Sequence, residues 1–177
     1  MNLDRIIAAI PGKSEAQRDK MRENAAKWLD TGSDAQKIAA QTLLDALETQ
    51  GISEQEAFED RLKAMGIAER VIEAFQVKPP TKNEIKVIQA LLNHPGSKST
   101  ELSDACGWSG NKWHLDFGAL CRKRETYFWP AEPVAKQDRS FLSGILADLD
   151  PAENRFTMKP DVAKAFAELG IKPTSAR

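Results

Sequence analysis

From position 15 onward, apolar residues recur along the first half of the chain at helical spacing. Met21, Ala25, Trp28 and Leu29 make one stripe, and Ile38, Thr42, Leu43, Ala46 and Leu47 make another. Ala57, Phe58, Leu62 and Met65 follow, then Ile67, Val71, Ile72 and Phe75. This pattern predicts helices near 3–9, 15–30, 34–49, 54–64 and 67–76. Ser14 with Gln17, Ser33 with Gln36 and Ser53 with Glu56 each fit a capping box at a helix start. Gly32, Gly51 and Gly66 fall where the preceding helices would stop. The stripes are narrow and alanine-rich, so the helices pack closely but bury little area, at roughly 25 cal/mol per Å² of apolar surface. A helical scaffold or dimerisation arm fits residues 1–78.

Val77-Lys78-Pro79-Pro80 cannot continue a helix, because each proline lacks an N–H and restricts the residue before it. A second domain over 79–177 is expected beyond it. Thr81 and Glu84 form a further capping box, opening a helix that buries Ile85, Val87, Ile88, Leu91 and Leu92 and stops at Asn93-His94-Pro95-Gly96. Ser99 or Thr100 then caps a short helix with Leu102 and Cys106 turned inward. Gly107-Trp108-Ser109 is a tight turn in which Trp108 plugs the core. A longer helix follows over 110–124. At about 100° per residue, Phe117 and Leu120 fall within about 40° of Trp113 and make the core stripe. Asn111, Leu115, Gly118, Ala119 and Arg122 lie opposite, with Lys112 and Lys123 on one flank.

Thr126-Tyr127-Phe128-Trp129 reads as a short strand stopped by Pro130, with a polar loop over 131–139. Strands over 140–147 and 155–158, joined by a turn over 148–154, read as a β-hairpin. Pro160 or Asp161 starts a last helix burying Val162, Ala165, Phe166 and Leu169. Gly170 closes it, and residues 171–177 make a mobile tail. The expected fold class is mainly α, a helical N-terminal domain followed by an α+β domain with a small hairpin.

Composition narrows the function. With 41% hydrophobic and 29% charged residues over 177 positions, the chain is that of a soluble, folded protein. No apolar run approaches the roughly 20 residues of a membrane helix, and the N-terminus lacks signal-peptide architecture, so a cytoplasmic protein is expected. The net charge of −1 excludes an indiscriminate basic nucleic-acid coat. Residues 1–80 hold 11 Lys/Arg against 14 Asp/Glu, and residues 81–177 hold 14 against 12, a mildly basic second half.

The candidate chemistries are thin. Cys106, His114 and Cys121 match no recurrent zinc spacing. Cys121 borders the core stripe, where thiols are inert as nucleophiles. The chain has neither a phosphate-binding glycine loop nor a GxSxG elbow. No enzyme, metal or cofactor is expected. The aromatic run of Tyr127, Phe128 and Trp129 reads first as core, with a stacking platform as the minority reading.

Helix, helix, glycine turn, longer helix and hairpin, carried by TELSDACGWSGNKWHLDFGALCRKRE and FLSGILADLDPAENRFTM, resemble the winged helix-turn-helix superfamily over about half the chain. The resemblance implies double-stranded DNA as partner and a regulator of transcription or of a mobile element. Asn111, Lys112 and Arg122 would then enter the major groove, since Asn reads adenine and Arg reads guanine. Lys98, Ser109, His114, Lys123 and Arg124 would face phosphates, and Lys136, Arg139 and Arg155 would lie on the wing. The alternative is a protein-interaction module of the same fold, without nucleic acid. In either case the N-terminal helices would hold a second copy or a partner protein.

Overall fold

The computed structural model describes residues 3–128 and 142–174. They divide between two compact units, Met1–Arg61 and Leu62–Arg177.

In the first unit, α1 (Leu3–Ala8) leads through a 3-10 turn at Ile10–Gly12 into α2 (Glu15–Thr31), and α3 (Asp34–Ala64) follows. Ser14 caps α2 reciprocally. Its hydroxyl accepts from the Gln17 N–H at 3.3 Å, and its own N–H donates to Gln17 Oε1 at 3.0 Å. Ile10, Ala25, Ala40, Leu43 and Leu47 form a small core, with Met21, Trp28 and Leu29 half-buried against it. Two expectations are corrected. Ile38 is 70% exposed, because five residues of helix place it about 140° from Leu43; Ala40 takes the inward position instead. The break at Gly51 does not occur, and α3 is one continuous helix. An interior glycine costs about 1 kcal/mol without ending a helix, and Gly51 does not take the left-handed conformation of a helix stop. Pairs four residues apart, Gln50 with Glu54 and Gln55 with Glu59, both at 2.9 Å, run through this stretch.

In the second unit, α4 (Ile67–Val77), α5 (Lys82–Asn93), β1 (Ser97–Lys98), α6 (Ser99–Ala105), α7 (Lys112–Lys123) and α8 (Glu125–Phe128) precede a 3-10 turn at Leu142–Ile145. Then come β2 (Ala147–Asp150), β3 (Arg155–Met158) and α9 (Pro160–Glu168). The antiparallel sheet has the order β1-β3-β2, with Ser97 opposite Phe156 and Ala147 opposite Met158. The core is continuous from α4 to α9: Phe75 meets the Phe166 ring edge-on at 5.0 Å and Phe128 at 6.5 Å. The two compact units part at Arg61 and Leu62, in the last turn of α3, so α4 packs within the second unit. The prolines end a helix, but Val71, Ala74 and Phe75 are already committed to the second core.

Three further differences have local causes. Residues 125–128 are helical rather than extended, with Phe128 inside the core and the Tyr127 carbonyl accepting from Arg70 Nε at 2.9 Å. The strand expected over 140–147 is displaced to Ala147–Asp150. Ser143, Ile145, Leu146 and Ala147 are all buried, and a fully buried run carries no alternation that would place its strand. The tail at Ile171–Thr174 is held on α5. Ile171 is buried, Asn93 Nδ2 donates to Thr174 Oγ1 at 2.7 Å, and Thr174 N–H donates back to Asn93 Oδ1 at 2.9 Å. Among the described residues no helix is long and apolar enough to cross a membrane.

Candidate nucleic-acid interface

Helix α7 is fixed in position and rotation by buried polar anchors. Gly107 ends α6 at φ 68°, a left-handed conformation suited to glycine. Its N–H donates to the Asp104 carbonyl at 2.8 Å, and the Trp108 N–H donates to Ser103 at 2.9 Å, closing a Schellman motif. The buried Ser103 hydroxyl donates to the Ser99 carbonyl at 2.9 Å and accepts from the Trp113 N–H at 3.0 Å, tying α6 to the first turn of α7. Trp113 Nε1 donates to the Val87 carbonyl of α5 at 2.9 Å, and its ring stacks on Phe117 at 4.8 Å. Trp113, Phe117, Leu120 and Cys121 face inward.

The opposite face is open to solvent. It carries Asn111, Leu115, Gly118, Ala119 and Arg122, with Leu115 69% exposed. Asn111 Oδ1 accepts from Ser99 Oγ at 3.1 Å. An amide oxygen has two acceptor sites, so this bond orients the side chain without exhausting it. Lys112 pairs with Asp116 at 2.8 Å and lies 4.8 Å from the centre of the Trp108 ring. Lys86 of α5 approaches the same ring at 5.4 Å. Ser109 and Lys98 are exposed; the Lys98 N–H donates to Glu101 at 2.8 Å at the start of α6. His114 is exposed on the sheet side, 5.6 Å from the Phe156 ring. Lys123 is exposed and lies 3.4 Å from Glu84.

Arg124 is not on this surface. It is fully buried, donating to Glu84, the Lys78 carbonyl and the Leu120 carbonyl over the face of Phe75. A phosphate contact is therefore corrected to a structural role. Arg155 is half-buried in β3, donating to the Gly96 carbonyl at 2.7 Å and to Glu153 at 3.1 Å. Lys159, the other cation at the hairpin, lies 3.8 Å from Asp148. With Asp148, Asp150 and Glu153 exposed, the described hairpin is acidic. Lys136, Arg139 and Trp129 lie outside the described residues.

Both cysteines are buried. Burial pushes the Cys121 thiol far above its ordinary range, against a weaker pull from Arg124; burial likewise raises Cys106, with Lys86 opposing. Both are thus protonated and inert at neutral pH. Among the described residues no group of His, Cys, Asp and Glu is placed to hold a metal ion. Comparison with family models, with curated proteins and with solved structures gives no match.

Proposed function

We propose that the second unit is a winged helix-turn-helix that binds duplex DNA by laying α7 in the major groove, in a cytoplasmic regulator of transcription or of a mobile element. The observation that carries this reading is the outward face of α7, where Asn111 and Arg122 flank Leu115, Gly118 and Ala119. A helix about 10–12 Å across fits a groove about 12 Å wide. Asn and Arg offer base-edge readout, Leu115 offers an apolar contact for a thymine methyl, and the two small residues allow close approach. The order α5, β1, α6, α7, α8, β2, β3 with the sheet β1-β3-β2 supports it. The hairpin is given no phosphate-binding part in this reading, because Arg155 is turned onto the Gly96 carbonyl, Glu153 and Glu101, and the exposed Asp148, Asp150 and Glu153 make the described hairpin acidic.

A second reading has its own support. Leu115 is 69% exposed beside Gly118 and Ala119, a patch that a protein surface could also cover. The first unit would supply a homotypic or partner contact through α3, which exposes Ile38 and Ile52; sedimentation of Ile38→Glu against the wild type tests that contact.

Fluorescence anisotropy of mixed-sequence duplex DNA across a salt series separates the two readings. The DNA reading expects binding that weakens steeply with salt and is reduced in Arg122→Ala/Lys123→Ala. Absence of binding at low salt overturns it in favour of the protein partner.

A further inference from the structure

We infer that Lys86, Trp108 and Lys112 form a seat for one phosphodiester of the DNA backbone at the N-terminal end of α7, an inference that rests on the DNA reading above. Three elements converge there: Lys86 from α5, Trp108 from the glycine turn and Lys112 from the first turn of α7. The two ammonium groups lie 5.4 Å and 4.8 Å from the same ring centre. Trp108 is half-buried against the core, so the indole is a fixed platform. Its negative ring face attracts ammonium groups without neutralising them. Lys112 has Asp116 as its counterion at 2.8 Å, while among the described residues no carboxylate pairs with Lys86. Two ammonium groups against one carboxylate leave a single positive charge, the complement of one phosphodiester.

Lys112 and Arg122 are ten residues apart, roughly 15 Å along the helix axis. A phosphate at the seat therefore leaves the base-edge contact of Arg122, at the other end of α7, unobstructed. With the described hairpin acidic, the seat joins the exposed Lys98, Ser109 and Lys123 as a source of backbone contacts. Lys86 is invisible to a reading of α7 and the hairpin alone, because only the packing of α5 on the turn brings it there.

Lys86→Gln tests the seat, with Lys164→Gln on α9 as an exposed-lysine control. Both variants and the wild type are titrated with the same duplex across a salt series. The expected result is several-fold weaker binding by Lys86→Gln and a salt slope shallower by about one, the signature of one lost phosphate contact. Lys164→Gln should match the wild type. DNA binding should also change tryptophan emission in the wild type but not in Trp108→Phe. If the wild type binds and Lys86→Gln behaves like Lys164→Gln, the seat is wrong and the DNA reading stands. If the wild type does not bind, both fall.

Discussion

Glu84 holds Arg124 inside the second unit: Oε1 lies 3.1 Å from Nη1 and Oε2 3.3 Å from Nη2. The same carboxylate accepts from the Thr81 N–H at 2.7 Å, so one side chain both starts α5 and anchors the end of α7. The guanidinium also donates through Nε and Nη2 to the Lys78 carbonyl, at 3.0 and 2.7 Å, and lies 3.9 Å from the Phe75 ring centre. Removing one member of such a buried pair strands the other, at a cost of about 3–5 kcal/mol. Arg124→Ala should lose that much in urea unfolding. Arg124→Lys should recover little, since a single ammonium cannot replace the planar fork of donors. Arg122→Ala, on the open face, should stay within about 0.5 kcal/mol of the wild type. Equal stability of Arg124→Ala and the wild type would refute the structural role.

The pair makes stability depend on acid. Burial pushes the Glu84 carboxyl upward, but the hydrogen bonds from Arg124 and Thr81 and the charges of Arg124 and Lys123 together hold it below its ordinary value. Its contribution is therefore present above the unfolded pKa of about 4.3 and is lost as pH falls through the lower folded value. Glu84→Gln should be less stable than the wild type at pH 7, and the gap should close as the medium is acidified below about pH 4. A gap that widens on acidification would contradict this assignment.

Two glycines in the first unit should respond oppositely to alanine. At Gly32 an added Cβ would lie 2.4 Å from the Trp28 carbonyl oxygen, so backbone must shift, whereas at Gly51 it would meet nothing within 4 Å. Gly51→Ala should stabilise by about 1 kcal/mol through helix propensity, and Gly32→Ala should destabilise by about 1–3 kcal/mol. Thermal unfolding of the two variants checks both signs.

Gly118 separates binding from folding. It is exposed in the middle of α7, and an added Cβ would meet nothing within 4 Å. Gly118→Leu should fold at least as stably as the wild type, yet bind duplex DNA at least ten-fold more weakly, a loss of about 1.4 kcal/mol, because the larger side chain blocks the close approach. Unchanged affinity, measured by anisotropy, would remove Gly118 from the contact face.

Legibility followed the physics of each segment. Helices α2 and α5 announce themselves through capping boxes, α9 through Pro160 in its first turn, and all of them and α7 through a 3.6-residue apolar period; Trp113, Phe117 and Leu120 are buried where that period places them. The open face of α7 is legible for the same reason. Ser53 and Gly51 misled because a local capping signal does not outweigh the continuity of a long helix. The strand β1, only two residues long, has no period to read and depends on β3, almost sixty residues away. Arg124 looked like a surface cation because its neighbours Arg122 and Lys123 are surface cations. Its burial depends on Glu84, forty residues earlier, and no spacing along α7 reveals that partner.

The central claim is that duplex DNA lies against the outward face of α7. Amide chemical-shift mapping of the labelled protein, titrated with a mixed-sequence duplex, tests it most directly. The account predicts the largest shifts at Asn111, Leu115, Gly118 and Arg122, with smaller ones at Lys86 and Trp108 and little change at the hairpin turn around Asp150 and Glu153. Shifts concentrated at the hairpin or in the first unit, with α7 unmoved, would contradict it.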